Sequence, residues 1–579
     1  MAFRNRKKNY PLYETTHFRD FREMVENAAD RFADRPAFHY KDKPNDPEIR
    51  KITFCETRDI VRAVASEMYD RGIEGKKVAI LGGASVDWFL SYFALMCVGA
   101  VTVPVDKELP PEDIASILNT AECSYIFYAS ASREKVEKLR PIVPSLFGFV
   151  EFGEAADFAE PFDSLVRSGR EKFNGADEKY RDYYFHHEID IDTLASIVFT
   201  SGTTGKGKGV MLSLKNICSD MEQGMYYFQI TYRTMFVLPP HHTFGSTVNL
   251  IGHYAQGCEI YISSGLRYIL NELQEFKPTH LILVPLFIET FYKRILATAE
   301  KTGKLAILRH MIRLSDGLRK IGVDLRPVLF RSVLKNFGGE LSMIICGGAA
   351  LNQNIIDFFE SVGIVVLNGY GITECAPLIS CNRNEYRKNG SVGLPIVGGV
   401  VRIDHPNENG EGEICYKGPN VMLGYYRNEA ATAEVIDADG FFHTGDLGRV
   451  ERIGDEQWIY ITGRSKNLII FSNGKNVYPE ELETDLQGIY GVAEVVVYAG
   501  ESKSDPQKEV IVAEIFPDEE AMKLRAIENP QHYFEEEVKK INQKNPGYKA
   551  IGKVKLRAEE FPKNTSRKII RFRIDKTVE

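Results

Sequence analysis

Three apolar runs in this chain end in the same kind of loop. "SIVFT" runs into "SGTTGKGKG", "SMIIC" into "GGAAL", and "IVVLN" into "GYGITE". A short, continuously apolar run reads as a strand covered on both faces. In an open parallel sheet the carboxyl ends of such strands line a crevice where ligands bind. Glycines let the backbone approach a ligand closely, and exposed N–H groups favour an anion. "KVAIL", "EIYIS" and "HLILV" add further strands at spacings that suit helical crossovers. The pattern predicts an α/β main body with mostly parallel sheets covered by helices.

The first loop nearly spells a P-loop. Gly202 is followed by four residues and then Gly207-Lys208, but Gly209 stands where a magnesium-binding Ser or Thr belongs. It is therefore either a damaged P-loop or a different phosphate clamp. The hydroxyls of Thr200, Ser201, Thr203 and Thr204 add donors, and Lys208 adds charge. In the third loop Thr373 can donate to a phosphate, Glu374 can take Mg²⁺, and Tyr370 can stack on a base. Downstream, "FFHTGDLGRV" sets Asp446 in a polar turn, where a carboxylate suits the two hydroxyls of a ribose. The plainer alternative is a turn aspartate bonded to its own backbone. Arg464 and Lys466 follow, and "FPKNTSRKIIR" carries Lys568, which alone reads as part of an exposed charge run.

At 579 residues the chain predicts two or more domains. The texture changes near residue 465, where the sequence becomes more charged and its strands shorten. The expected division is a large domain over 1–465 and a small, mobile α+β lid domain over 466–579. In the second, "FEEEVKKINQK" predicts a helix with Phe534, Val538 and Ile541 on one stripe and supporting pairs Glu535–Lys539 and Glu536–Lys540. Near the start, Phe18, Phe21, Val25, Ala28 and Phe32 predict an amphipathic helix. A net charge of −8 gives no support for a nucleic-acid surface. Nine cysteines without a CxxC pair predict reduced thiols and a cytoplasmic chain; Cys375 and Cys381 lack partners at metal spacing. The most apolar stretch, Val86 to Asp106, is broken by Gly99 and Pro104. It reads as a buried helix, a turn and a strand, not a membrane span.

In order and spacing, "TSGTTGKGKGV", "CGGAAL", "GYGITE", "GEICYKGPNVMLGYY", "FFHTGDLG", "GRSKNLIIFSNGKNVYPEELE" and "PKNTSRKIIR" resemble the adenylate-forming superfamily of acyl-CoA synthetases, adenylation domains and luciferases. The resemblance runs from about residue 15 to the C-terminus. It identifies the first loop as that family's own phosphate loop. Gly207 stands where the family usually has proline, and Arg567 precedes Lys568 where it usually has glycine, as in some long-chain relatives. The resemblance implies ATP, Mg²⁺ and coenzyme A. It places Thr200, Ser201, Gly202, Thr203, Thr204, Gly205, Lys208 and Thr373 on the phosphates and Glu374 on the metal. Gly348, Ala349 and Gly371 would also bind the nucleotide, Tyr370 would stack on the adenine, and Asp446 with Arg464 would hold the ribose. Lys568 would bridge the α-phosphate and the substrate carboxylate, Lys466 would be the hinge, and Gly474 would pass the pantetheine arm.

For the acid, "LPPHHTFGSTVNL" has no carboxylate to pair with an amino-acid ammonium. His242 matches the histidine of acyl- and aryl-CoA synthetases, and Phe244 and Gly245 are placed to shape an acyl tunnel; the alternative for His242 is a satisfied core histidine. The segment from Lys301 to Glu340 is helical and basic, and resembles the corresponding part of long-chain enzymes. It reads as a surface for anionic lipid at the inner face of the membrane or as a solvated helical face. The expected activity is joining of a medium- to long-chain fatty acid to coenzyme A. An acyl carrier protein as acceptor, an aryl acid, a luciferase-like oxidation and a non-catalytic sensor are the alternatives.

Overall fold

The computed structural model describes residues 11–200, 207–230, 232–470, 476–502, 510–563 and 569–578. The largest sheet has eight strands. From one edge they are Gly424–Tyr425, Lys208–Ser213, Leu194–Thr200, Val101–Val105, Lys77–Leu81, Tyr125–Ala129, Gly148–Phe152 and Glu160–Pro161. The strands from Leu194–Thr200 to the far edge run parallel, whereas Lys208–Ser213 folds back antiparallel on Leu194–Thr200. Every residue of Val101–Val105 is buried, as a run apolar on both faces requires. The stretch from Val86 resolves as expected. A helix Val86–Cys97 is buried from Trp88 to Cys97, Gly99 turns the chain at φ +71°, and the strand follows.

A second sheet carries the other two glycine loops. Its parallel strands His280–Leu283, Met343–Cys346 and Val365–Gly371 continue into the antiparallel Leu378–Cys381 and Leu394–Pro395. A third sheet is ordered Arg233–Phe236, Glu259–Ile262, Pro36–Tyr40 and Arg50–Thr53. The fourth departs from the parallel expectation. Val400–Asp404, Gly412–Lys417, Phe442–Ile453 and Glu456–Arg464 are antiparallel throughout. Only Gly454 and Asp455 separate its last two strands. A parallel connection needs a dozen or more residues, so a hairpin is the one arrangement open to them.

After residue 469 the chain builds apolar clusters of its own. Ile469, Leu482, Val497, Ile515, Phe534 and Val554 share one of them. Strands Val492–Ser502, Val510–Pro517, Lys553–Leu556 and Thr577–Val578 form its sheet, with helices Pro479–Gln487 and Pro530–Asn542. The latter helix buries Phe534 and Val538 as predicted. Its ion pairs are Glu536–Lys539 and Glu537–Lys540, three apart instead of four, since both spacings are neighbours on a helix. The first helix spans Phe21–Phe32; Phe18 lies ahead of it, and Asp20 caps it by accepting from the Glu23 N–H at 3.0 Å.

Gly371 closes the strand Val365–Gly371 against the following turn. The Ile372 N–H donates to the Pro377 carbonyl at 2.8 Å, and a Cβ on Gly371 would stand 2.2 Å from that same oxygen. This glycine is thus demanded by the chain's own hairpin, whatever it also does for a ligand. Gly371→Ala is expected to cost about 1–3 kcal/mol, read as a lower urea midpoint with an unchanged slope. An unaltered midpoint would contradict this packing argument.

Candidate active site

The antiparallel register sets Asp446 directly opposite Arg464. Arg464 Nε lies 2.9 Å from Asp446 Oδ1, and the Tyr370 hydroxyl donates to Asp446 Oδ2 at 2.8 Å. Asp446 is buried, whereas the Arg464 side chain is 58% exposed. Each carboxylate oxygen accepts more than one hydrogen bond, so both can still meet the hydroxyls of a sugar. Burial, reinforced by the Asp446 charge, pushes the Tyr370 phenol well above its ordinary range and keeps it a donor.

The turn bearing Asp446 is pinned from the neighbouring strand. Glu413 Oε1 accepts from the Gly445 N–H at 2.8 Å, and Oε2 lies 3.1 Å from His443 Nδ1. Thr444 Oγ1 donates to the Ile414 carbonyl at 2.7 Å and accepts from the Asp446 N–H at 3.1 Å. Gly445 itself sits at φ +70°, where a side chain would be strained. Glu413 was not singled out in the sequence, although it lies inside the quoted "GEICYKG".

A second carboxylate, Glu374, sits in the one-turn helix Thr373–Cys375 and is buried. The Tyr425 hydroxyl donates to its Oε1 at 2.8 Å, and its own carbonyl accepts from the Met422 N–H at 2.8 Å. Burial raises the Glu374 carboxyl; the Tyr425 bond and the Arg464 and Lys208 charges oppose that rise. Lys208 Nζ stands 4.5 Å from the centre of the Tyr425 ring. Tyr425 therefore joins the cation of the first loop to the carboxylate of the third, a role that sequence reasoning missed within "VMLGYY". Hard oxygen donors of this kind fit Mg²⁺, which takes one or two carboxylates and leaves its other positions to water and phosphate. Thr200 pairs with Lys208 in the sheet, its Oγ1 3.4 Å from the Lys208 carbonyl. A Cβ on Gly207 would lie 2.8 Å from the Thr200 carbonyl, which accounts for glycine at that position. Ser201, Gly202, Thr203, Thr204, Gly205, Gly474 and Lys568 lie outside the described residues.

Tyr370, Gly371, Thr373, Gly348 and Arg464 line a cleft of about 2160 Å³. It continues past His242, Phe244 and Gly245 to an apolar wall that includes Phe228, Phe236, Leu238, Leu270 and Ile345. Gly348 adopts φ +89°, and Ala349 is exposed beside it. The His242 carbonyl accepts from the Gly245 and Ser246 N–H groups at 2.8 and 2.9 Å, opening a π-helix over Phe244–Ile251. Such helices recur at functional sites. A Cβ on Gly245 would meet the Pro239 carbonyl at 2.3 Å, so its smallness serves backbone packing. His241, passed over beside His242, lines the cleft with its Nε2 3.4 Å from Asp106 Oδ2. Burial lowers its imidazole against the pull of Asp106. Lys466 is exposed in the turn Ser465–Asn467. The nine cysteines are free thiols, with Cys375 and Cys381 buried.

Residues 25–426 match the AMP-binding enzyme family, and the chain belongs to it. ATP is the nucleotide of these adenylate-forming enzymes, and coenzyme A is the co-substrate of its ligases. The long-chain-fatty-acid–CoA ligase FadD15 of Mycobacterium bovis is 28% identical over 471 residues, covering 78% of this chain and 76% of that protein. A chloroplastic long-chain-fatty-acid–[acyl-carrier-protein] ligase of Arabidopsis thaliana is 25% identical over 548 residues, covering 82% and 74%. The anthranilate CoA ligase AuaEII, solved with anthranoyl-AMP, superposes with a TM-score of 0.76 at 20% identity over 97% of both chains. ATP-bound MatB from Rhodopseudomonas palustris gives 0.71 at 22% identity, over 96% of this chain and 98% of that one. Among the described residues no helix is long and apolar enough to cross a membrane.

Two predictions follow from the carboxylates. A carboxyl whose folded value is raised adds stability at low pH that is lost as pH climbs from the ordinary carboxylate range through the raised value. Glu374→Gln should therefore flatten the pH dependence of the melting temperature across that window and raise it at neutral pH. It should also slow adenylate formation by roughly 10²–10³-fold; a lower melting temperature at neutral pH would contradict the burial argument. Glu413→Ala should weaken ATP binding by about tenfold through loss of one charged hydrogen bond, with Glu413→Gln, which still accepts from Gly445, recovering most of it. Equal loss in both variants would remove Glu413 from the positioning of Asp446.

Proposed function

We propose that this protein is an acyl-CoA synthetase that activates a medium- to long-chain fatty acid as acyl-AMP and passes it to coenzyme A. The observation that carries this reading is the continuity of one cleft from the Tyr370–Arg464 edge, where Asp446 is held, to the apolar wall beyond Phe244. A nucleotide fits the first region and an alkyl chain the second. The long-chain ligases among the relatives support the same substrate class.

In the first half-reaction a substrate carboxylate oxygen attacks the α-phosphorus of ATP, and the bond to the departing pyrophosphate breaks. Thr200, Lys208, Thr373 and the loop residues Ser201, Gly202, Thr203, Thr204 and Gly205 would grip the phosphates. Glu374 would hold Mg²⁺, which when bound neutralises charge on the phosphate oxygens. Asp446 and Arg464 would fix the ribose, with Tyr370 against the base. Lys568 would meet the charge that develops between carboxylate and α-phosphate, and Lys568→Ala should slow adenylation by roughly 10²–10³-fold. In the second half-reaction the thiol of coenzyme A attacks the acyl carbon and AMP leaves with the bonding pair.

Lys568 would have to withdraw before the thiol arrives. We assign residues 1–465 to a large domain and 466–579 to a small one that turns about Lys466. The side chains flanking that residue support the assignment. Ser465 Oγ donates to the Gly445 carbonyl at 3.0 Å, and Asn467 Nδ2 donates to Glu480 Oε1, on the following helix, at 2.6 Å. A hinge needs only a few residues free to absorb the backbone change. Lys466→Pro should spare acyl-AMP formation and suppress thioester formation; equal loss of both would contradict the hinge.

The carrier-protein ligase of Arabidopsis thaliana among the relatives supports a second reading, in which a phosphopantetheine thiol on a protein is the acceptor. Mass spectrometry of products separates the two. With Mg-ATP, coenzyme A and acids from acetate to oleate plus aryl acids, acyl-CoA from the longer acids is expected. Acyl-AMP without thioester would favour the carrier protein, and thioester from aryl acids alone would overturn the fatty-acid assignment.

A further inference from the structure

We propose that Asp404, Cys415 and His443 form a structural zinc site, with Glu413 at the fourth position, which braces the turn that carries Asp446. The side chains share one face of the antiparallel sheet. Cys415 pairs with His443 on one side and with Arg402 on the other, and Asp404 pairs with Glu413. Alternation along each strand puts Asp404 with Arg402, and Glu413 with Cys415, on the same side. One donor atom from each of Asp404, Cys415 and His443 lies within 4.8 Å of the other two. Cys415 Sγ is 3.4 Å from His443 Nδ1. In tetrahedral zinc, a sulfur at about 2.3 Å and a nitrogen at about 2.05 Å stand about 3.6 Å apart, so this edge is nearly formed. Glu413 Oε2, 3.1 Å from the same nitrogen, is placed for the fourth position while its Oε1 keeps the Gly445 N–H. None of the four residues lines the cleft, so this ion is distinct from the Mg²⁺ assigned to Glu374.

The surroundings fit a metal better than a plain polar face. His443 lies between two carboxylates, with Nδ1 toward Glu413 and Nε2 3.5 Å from Asp437 Oδ2. A neutral imidazole has one N–H for the two. A metal on Nδ1 resolves this, since a ligating histidine characteristically donates its other ring N–H to a carboxylate, here Asp437. An imidazolium would serve both carboxylates but would do nothing for Arg402, whose buried Nε has no hydrogen-bond partner among the described residues. Arg402 adjoins Cys415 and favours its anionic form, and a zinc-bound thiolate is an acceptor for that N–H. The guanidinium head is held elsewhere, by Asp437 Oδ2 at 2.7 Å and over the Phe441 ring at 4.4 Å. Asp404, Glu413 and Asp437 thus surround one arginine, a negative excess that a dication offsets. Sulfur, imidazole and carboxylate together select zinc over magnesium or calcium. The Asp404 and His443 side chains are 29% and 23% exposed, which gives the ion a path from solvent to the buried Cys415.

Cobalt(II) titration tests the proposal on the full chain, stripped by a chelator and free of ATP, Mg²⁺ and coenzyme A, so the outcome does not depend on the enzymatic reading. Cobalt takes zinc's tetrahedral position and reports a bound thiolate by charge-transfer absorption, which oxygen ligands such as Glu374 do not give. One equivalent should produce that absorption, and Zn²⁺ should bleach it while raising the melting temperature. Cys415→Ser and His443→Gln should each lose both the absorption and the thermal shift. Cys55→Ser, at the one cysteine of the nine that is not buried, should keep both. Asp437→Asn should weaken cobalt binding by about 10–100-fold. If Cys415→Ser does not fold, His443→Gln decides alone. No absorption from the wild type at saturating cobalt, or absorption kept by His443→Gln, overturns the site. Absorption without any thermal shift overturns its bracing role.

Discussion

The Asp446 carboxylate, held between Arg464 and Tyr370, is the contact through which the separate parts of the site meet. The three residues of this contact come from two sheets. Asp446 and Arg464 face each other across the antiparallel hairpin Phe442–Arg464, and Tyr370 arrives at the end of a parallel strand in another sheet. The contact exists only if both registers are right. A slip of one residue in the hairpin would turn Asp446 to the opposite face. The pinning of Gly445 by Glu413 and of Thr444 by the Ile414 carbonyl guards against that slip. The antiparallel sheet, the part least expected of this fold, therefore supplies the rigidity that an exposed Arg464 cannot supply alone.

The other carboxylate is arranged on the opposite principle. Glu374 is buried with one hydroxyl partner and two cations near enough to be felt, and burial still prevails in raising its affinity for a proton. Removing a charge from water without full pairing is unfavourable, and groups kept in that condition cluster where a ligand completes them. A metal-bound polyphosphate would do so, adding to Glu374 the positive charge that its protein neighbours leave short. Tyr425 is the link, because its hydroxyl serves the carboxylate while its ring faces the Lys208 ammonium.

Much of the fold is legible in the sequence. The six apolar runs resolve as strands, and the stretch from Val86 divides at Gly99 as read, because continuous burial and positive φ both leave local marks in a sequence. What escaped was pairing. Nothing in "GEICYKG" says that its glutamate will reach the Gly445 N–H thirty-two residues on, nor in "VMLGYY" that one tyrosine will find Glu374 and Lys208. Such partnerships follow from sheet register, and period-two patterns fix which face a residue takes without fixing its neighbour. The glycines carried a different ambiguity. Gly245 and Gly371 read as concessions to a ligand and Gly207 as a departure from the family's proline, yet each lies where a Cβ would collide with a backbone carbonyl of the chain itself. A glycine signals close approach without saying of what.

That ambiguity bears on how the cleft is shaped. Gly245 and Gly371 bring loops together at Pro239 and Pro377, and the cleft passes both glycines. Their smallness permits these close backbone approaches, where a Cβ would stand 2.3 Å from the Pro239 carbonyl and 2.2 Å from the Pro377 carbonyl. Backbone is the less adjustable boundary, since side chains change rotamer while a hydrogen-bonded turn does not. The neighbouring π-helix over Phe244–Ile251 works the same way, with the His242 carbonyl taking two N–H groups to begin it and fixing where Phe244 stands. Phe244 in turn lies against the Gly347 backbone, where a Cβ would come within 3.0 Å of its ring. The second glycine loop and the π-helix thus pack against each other, and both belong to the lining of the same cleft as Tyr370 and Gly371.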